Sequence, residues 1–202
     1  MQFGAWNVRT LMDTRNARRP QRMTALVAHE LGRYNIDIAA LSETRLPGTG
    51  DITEVGAGYT FFWSGKAPDD AREAGVGFAI RTSIVPKLDT LPKGISDRLM
   101  TLRLPLARGT YITLVSAYAP TMTYSEEAKE QFYHTLREVI NEVPATDKLL
   151  LMGDFNARVG RDQNAWPTVI GSHGVGKMNT NGELLLTLCS ELGLVITNTV
   201  FQ

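Results

Sequence analysis

The 202-residue sequence lacks a second cysteine, a long apolar run and an excess of charge of either sign. Because Cys189 is the only cysteine, no internal disulfide can form. The amino-terminal sequence MQFGAWNVRT has neither the basic stretch nor the apolar run of a signal peptide. No window approaches the ~18 uninterrupted apolar residues that a membrane-spanning helix requires. These absences predict an intracellular protein, nuclear or cytoplasmic, that is neither secreted nor placed in a membrane.

The absence of net charge excludes a histone-like polycation but not a local basic patch. Lysine and arginine together number 21, as do aspartate and glutamate. Residues 124–142 contain five glutamates against one lysine and one arginine. Residues 1–22 contain a single aspartate and five arginines, which are Arg9, Arg15, Arg18, Arg19 and Arg22. A polyanion is therefore expected to prefer residues 1–22. The arginines at 15–22 are explained equally well as a solvent-exposed segment that leads into a helix.

Length and composition are those of a globular protein, with 43% apolar and 21% charged residues. At this size a folded chain buries roughly 70% of its unfolded surface, so a core can form without disulfides or a structural metal. No repeat, low-complexity tract or linker is apparent. We therefore expect one domain over residues 1–202.

Seven apolar or alternating runs predict strands, and three amphipathic patterns predict helices. The predicted strands are Phe3–Val8, Ile36–Leu41, Gly75–Ile80, Leu99–Leu104, Tyr111–Tyr118, Leu149–Met152 and Leu194–Thr197. The helical patterns begin near Met23, after Ser125 and at Asn181, and the last one ends at Gly193. Residues 47–58 and 66–75 are predicted loops, and the unbroken run Leu149–Met152 predicts a central strand. This order favours an α/β sandwich over a regular alternation of parallel β-α units.

The sequence Gly153-Asp154-Phe155-Asn156 follows the predicted strand Leu149–Met152. A carboxylate and a carboxamide two residues apart project toward a common side at the end of a rigid element. A turn explains this sequence equally well, because Asp and Asn are common turn residues.

Three further predicted strands also end in a polar residue. Asn7 closes the first strand, Glu43 closes the second, and Tyr118 closes the strand that precedes Ala119-Pro120. Each has a structural alternative. Asn7 would be an ordinary turn residue, Glu43 a solvated charge in a loop, and Tyr118 a residue at the edge of the core with its hydroxyl in water. Together the four strand ends repeat one pattern.

At these positions the sequence resembles the endonuclease/exonuclease/phosphatase superfamily, which includes DNase I-like and apurinic/apyrimidinic endonucleases. The matching blocks, in order, are Trp-Asn-Val-Arg at 6–9, Ser-Glu-Thr-Arg at 42–45, Ala-Tyr-Ala-Pro at 117–120 and Gly-Asp-Phe-Asn at 153–156. The segments at 6–11, 181–185 and 195–199 look most like endonuclease domains of non-long-terminal-repeat retrotransposons. They also resemble craniofacial-development-protein-2-like sequences. The resemblance implies a four-layer α/β sandwich of two mainly antiparallel sheets flanked by helices.

The resemblance also implies Mg²⁺-dependent hydrolysis of DNA phosphodiester bonds, with Mn²⁺ as a possible substitute. Mg²⁺ prefers oxygen ligands and usually takes one or two carboxylates from a protein. Glu43 would be the metal ligand and Asn7 would lie beside it, toward metal or phosphate. Asp154 would orient or deprotonate the attacking water, and Asn156 would donate to a phosphate oxygen. Tyr118 would contact the phosphate or help to stabilise the leaving oxygen.

Further phosphate contacts are expected from Arg9 and Arg45. A two-metal phosphoesterase is disfavoured because it normally needs several histidine ligands. His29, His134 and His173 are isolated in the sequence, and the first two fall in predicted helices.

The family's final Ser-Asp-His block is absent from the sequence, as is the acidic strand block before it. We therefore expect a C-terminally incomplete domain with an unfilled sheet position or an exposed edge, and doubtful activity. A catalytically inactive nucleic-acid-binding or interaction module is one alternative, and a phosphatase on a small phosphoester or phospholipid is another. The sequence does not indicate an oligomeric state.

Overall fold

A computed structural model of the chain describes residues 1–13 and 22–201. The chain divides into two compact units. The first comprises Met1–Tyr118 and Val143–Asp154, and the second comprises Ala119–Glu142 and Phe155–Gln202. The arginines at 15, 18 and 19 lie outside the described residues. The expectation of one domain over residues 1–202 stays a prediction.

The first unit contains two mixed, mainly antiparallel sheets, which confirms the predicted α/β class. One sheet has the order β1-β2-β5-β4-β3, with β1 (Phe3–Asn7), β2 (Ile38–Ser42), β3 (Thr49–Glu54), β4 (Tyr59–Ser64) and β5 (Val76–Arg81). The other has the order β6-β7-β8-β9, with β6 (Lys93–Gly94), β7 (Leu99–Pro105), β8 (Tyr111–Tyr118) and β9 (Lys148–Asp154). Each sheet has one parallel pair, β1 with β2 and β8 with β9.

An apolar core between the two sheets holds the first unit together. Ile38 and Phe78 of the first sheet are fully buried there, as are Leu102 and Leu114 of the second. On its other face, β2 packs through Ala39 and Leu41 against helix α1 (Met23–Arg33), which contributes Val27, Ala28 and Leu31. Both faces of β2 are therefore covered, which is why all five of its residues are buried.

The second unit contains helices α2 (Glu126–Asn141) and α3 (Thr180–Leu192). Helix α2 begins directly after Ser125, as the sequence predicts, and the Ser125 side chain caps it by accepting from the Ala128 N–H. Asn179 caps α3 by accepting from the Gly182 N–H, and Gly193 ends it in a left-handed conformation. The expected cap at Asn181 is therefore wrong, because this residue lies inside the first turn and is fully buried. No helix in the described ranges has the length and apolar character to cross a membrane.

Three strand predictions are corrected by the structure. Residues 194–196 form no strand, and a single 3₁₀ turn follows at Thr197–Thr199. The predicted loop 47–58 contains β3, whose alternating exposure and small polar residues give a weak local signal and whose order comes from pairing with β4. Within the described residues β9 lies at the end of its sheet, because its only ladder is with β8. Of its apolar run only Met152 is buried, and the three leucines before it are half-buried.

Candidate active site

Two parallel strand pairs end at the candidate site. Asn7 ends β1 opposite Ser42 of β2, and Tyr118 ends β8 opposite Asp154 of β9. Glu43 follows β2 directly. Because the strands of each pair run the same way, their carboxyl ends lie at one edge of the sheet. The two sheets thus supply four of the predicted site residues to one place.

The Asn7 side-chain amide joins the two carboxylates. Its Nδ2 atom donates to Glu43 Oε1 at 2.7 Å and to Asp154 Oδ2 at 2.8 Å. Glu43 Oε1 and Asp154 Oδ2 are therefore separated by at most the summed length of these two hydrogen bonds. Asn7 Oδ1 accepts from the Arg9 backbone N–H at 3.0 Å, which fixes the orientation of the amide. Asn7 thus joins a residue 36 positions away in the sequence to one that is 147 positions away.

Glu43 is held ionised by its neighbours. Its Oε1 atom also accepts from the Tyr118 hydroxyl at 3.1 Å, and its Oε2 atom accepts from Arg45 Nη2 at 3.2 Å. Burial opposes ionisation, but hydrogen bonds from Asn7, Arg45 and Tyr118 outweigh it, and the pKa of Glu43 falls below its usual value. The site therefore presents a carboxylate anion at neutral pH.

Tyr118 is a neutral donor at the same place. Burial, together with the charge of Glu43 and its hydrogen bond, raises the pKa of Tyr118 to about 12. Arg98 lies over the tyrosine ring, 5.1 Å from its centroid, and its Nη1 donates to the Tyr118 carbonyl at 3.2 Å. Sequence analysis missed Arg98, because no pattern of spacing connects it to the strand end that it supports.

Backbone strain is concentrated at the predicted site residues. Six non-glycine residues in the described ranges have positive φ, and four of these are Arg9, Glu43, Arg45 and Asn156, with φ of 58°, 57°, 57° and 47°. Non-glycine residues adopt this conformation rarely and at a cost in stability. Strain of this kind persists where the surrounding structure holds it, often at functional sites. The clustering supports a functional origin for these strand ends over ordinary turns.

Two glycines permit the close approach of backbone at the site. A Cβ atom on Gly153, whose φ is +141°, would lie 1.9 Å from the Ala117 carbonyl oxygen. A Cβ on Gly75, whose φ is +112°, would lie 2.3 Å from Thr44 Oγ1 and 2.9 Å from the Arg45 nitrogen. The first glycine lets β9 approach β8 just before Asp154, and the second lets the chain pack against the turn at 43–45.

Asn156 belongs to the second unit, where its Nδ2 atom donates to the Ala119 carbonyl at 2.9 Å. Asn181 holds the same region, because its Nδ2 atom donates to the Pro120 carbonyl at 2.8 Å and to the Asn156 carbonyl at 3.2 Å. The sequence analysis assigned Asn181 to a helix cap. The sequence carries no signal of this role, because the complete burial of Asn181 arises only from tertiary packing.

The side chains at the site suit Mg²⁺, which keeps several water ligands, better than they suit a metal ion coordinated only by protein atoms. Within the described part of the chain, no group of three or more His, Cys, Asp and Glu residues could hold a metal ion. Glu43 and Asp154 nevertheless bring two hard carboxylates to one amide, and Mg²⁺ commonly binds through one or two carboxylates with water and phosphate oxygens. The residues present therefore fit this ion.

The three histidines lie on three separate elements of the chain. His29 and His134 are exposed on α1 and α2, as predicted. His134 Nε2 lies 3.3 Å from Glu138 Oε1, one helical turn away. His173 lies in a loop of the second unit and donates its backbone N–H to the Thr199 carbonyl.

Comparison with known proteins identifies the family of the chain. A model of the Endonuclease/Exonuclease/phosphatase family matches residues 4–195. Craniofacial development protein 2 from Bos taurus is 30% identical over 201 residues, which are 99% of this chain and 31% of the relative. The chain therefore spans about a third of the length of that relative.

Solved structures with similar folds have low sequence identity. The catalytic domain of Xenopus laevis APE2 superposes with a TM-score of 0.59 at 15% identity, covering 95% of this chain and 67% of that one. The AP endonuclease LMAP from Leishmania major superposes with a TM-score of 0.56 at 16% identity, covering 94% of this chain and 65% of that one. At such identities the likeness shows the fold alone.

Proposed function

The chain belongs to the Endonuclease/Exonuclease/phosphatase family, and from this premise we propose that it is an Mg²⁺-dependent endonuclease that hydrolyses phosphodiester bonds of DNA. The observation that carries the proposal is the pair of carboxylates, Glu43 and Asp154, held on the single amide of Asn7. Two carboxylates brought to one amide supply the oxygen ligands that Mg²⁺ prefers. They suit a site that receives a cation and a phosphate.

Each proposed role follows from the chemistry of the side chain. Glu43, ionised at neutral pH, would hold the metal together with Asn7. A bound Mg²⁺, or Mn²⁺ in its place, would neutralise phosphate charge and stabilise the departing alkoxide. Asp154 would orient the attacking water and accept its proton. Tyr118 keeps its proton up to about pH 12, so its hydroxyl would donate to the phosphate or to the leaving oxygen.

The remaining predicted contacts would bind substrate. Asn156 would donate to a phosphate oxygen once its hydrogen bond to the Ala119 carbonyl is exchanged. Arg9 and Arg45, both exposed or half-exposed, would contact backbone phosphates, a kind of contact that supplies affinity without sequence preference. An origin from a retrotransposon endonuclease is part of the same proposal and rests on the blocks at 6–11 and 181–185.

We propose that the protein is intracellular, because its cysteine, Cys189, is a free and buried thiol. This free cysteine is 4% exposed, and burial raises the pKa of its thiol to about 11. The thiol is therefore protonated and shielded, as in a protein of a reducing compartment.

Nicking of supercoiled plasmid tests the proposal. The assay compares the 202-residue chain, and any longer reading frame that contains it, with the Asp154→Ala variant, each with Mg²⁺ and with a chelator. Metal-dependent nicking that is lost in Asp154→Ala supports the endonuclease. Retention of DNA without nicking by either length would instead identify a binding module. Hydrolysis confined to small phosphoesters would identify a phosphatase, and either result overturns the proposal.

A further inference from the structure

We propose that Arg45 is a built-in counter-cation for Glu43, which a divalent metal ion must displace, so that Arg45 sets the metal affinity of the site. The proposal rests on the proposed function, since it takes Glu43 to be a metal ligand. It assigns Arg45 a role before substrate arrives, distinct from a contact with phosphate.

One of the two carboxylate oxygens of Glu43 has a partner that another cation can replace. Oε1 accepts from Asn7, which also binds Asp154, and from Tyr118, which is 5% exposed. These partners are packed into the protein. Oε2 accepts from the Arg45 guanidinium, whose side chain is 44% exposed. A cation that approaches from solvent therefore meets Arg45 on Oε2.

The backbone holds Arg45 at this position. Thr44 and Arg45 donate their N–H groups to the carbonyls of Gly75 and Ala74, at 3.1 and 3.0 Å, and the Thr44 carbonyl accepts from Leu11 at 2.8 Å. Thr44 is completely buried. The turn is thus anchored on both sides, and only the Arg45 side chain beyond Cβ is free to rotate away from Glu43.

Charge favours the exchange. Oε2 of Glu43 faces the guanidinium of Arg45, which carries a single positive charge. A divalent ion would carry two, on a smaller radius and at closer range to carboxylate oxygen. Because Arg45 must leave first, its ion pair subtracts from the affinity for the metal. A half-exposed ion pair of this kind is worth roughly a 5-fold change in an equilibrium constant.

Titration with Mn²⁺, followed by the electron paramagnetic resonance of the free ion, tests the proposal without requiring activity. The variants are Arg45→Ala, Glu43→Gln and the double variant. Arg45→Asn is a second replacement that suits the positive φ of this position. Arg33→Ala is the matched control, because Arg33 forms an ion pair with Glu30 on α1 at 2.9 Å. Circular dichroism and thermal unfolding confirm that each variant is folded.

We expect Arg45→Ala and Arg45→Asn to bind Mn²⁺ about 5-fold more tightly than the wild type, at the scale of a half-exposed ion pair. Arg33→Ala should not differ from the wild type, and Glu43→Gln should abolish the gain. If removal of Arg45 leaves affinity equal or weaker while Glu43→Gln still reduces it, the counter-cation role is overturned and the proposed metal site stands. If Glu43→Gln leaves the Mn²⁺ affinity unchanged both in the wild type and in Arg45→Ala, the proposed metal site fails and the role of Arg45 fails with it.

Discussion

Strand β9 has an aspartate at each end, and the two are used differently. Asp147 precedes the strand and is gripped by Arg103, whose Nε and Nη2 donate to the two carboxylate oxygens at 2.7 and 3.0 Å. Thr113 adds a third bond at 3.0 Å. Hydrogen bonds and the charge of Arg103 hold the pKa of Asp147 below its usual value. One carboxylate is matched there by one guanidinium in a bidentate pair.

At the far end of the strand, Asp154 shares the Asn7 amide with Glu43. A neutral donor thus collects two acids, beside residues with strained backbone. Asp147 is thus bound by one guanidinium within the fold, whereas Asp154 lies beside a second acid at the place where we propose that a metal ion binds. The comparison teaches that the partners of an aspartate, and not its place at a strand end, separate the structural role of Asp147 from the role that we propose for Asp154.

The sharpest test of this comparison replaces each aspartate by asparagine and measures the rate of plasmid nicking. Asp154→Asn is expected to lower the rate on the order of 10²–10⁴-fold, because it removes the group that we propose accepts the proton of water. Asp147→Asn changes the same chemical group seven residues away and should retain most of the activity of the folded protein. Equal losses in the two variants would contradict the distinction.

Gly153→Ala should disrupt the catalytic end of β9 through the backbone. Its Cβ would meet the Ala117 carbonyl oxygen at 1.9 Å, in a conformation that alanine disfavours. We expect a loss of about 3 kcal/mol in the free energy of unfolding, measured in urea.

The control for this variant is Gly58→Ala, where φ is +73° and no atom lies within 4 Å of the new Cβ. It should cost only about 1 kcal/mol, the penalty of the left-handed backbone alone. Similar losses at the two positions would show that close approach of β8 and β9 is unimportant.

Tyr118→Phe keeps the ring beside Arg98 and removes the hydroxyl that donates to Glu43. The nicking rate is expected to fall about 10-fold, the scale of one hydrogen bond to a charged group. In wild type the tyrosine should ionise near pH 12, as followed by absorbance at 295 nm. Because this pKa is raised by folding, its contribution to stability is intact below the ordinary value of about 10 and declines as the pH rises toward 12. A titration unchanged in the variant would contradict the assignment.

The smallest effect concerns acid stability at the other end of β9. Because the pKa of Asp147 is lowered by folding, its pair with Arg103 stabilises the protein above about pH 4 and is lost as the pH falls further. The difference in thermal midpoint between wild type and Asp147→Asn should therefore shrink below this pH. Asp51→Asn, on an exposed position of β3, reports the effect of removing a charge alone. A difference that stays constant from pH 7 to 3 would contradict the prediction.

Several elements could be predicted because their signals are local. The strand Tyr111–Tyr118 is found with the predicted bounds, and the stripe after Ser125 is helix α2. The strand β3 could not be predicted, because its exposed polar residues have little preference for strand structure and its hydrogen bonds come from pairing with β4. The pairing of Asn7 with two distant acids also has no local signal. Only the resemblance of the four blocks suggested that these side chains meet.

The sequence by itself determined which residues are available: a family signature in four blocks, apolar periods that give strands and helices, and a free cysteine on the inward face of its helix. These properties depend on neighbours along the chain. The tertiary structure alone decided that a guanidinium grips Asp147, whereas Asp154 meets Glu43 at the Asn7 amide. That decision depends on two parallel strand pairs ending together, with Gly153 allowing contact of β8 and β9, so that one amide reaches both Glu43 and Asp154.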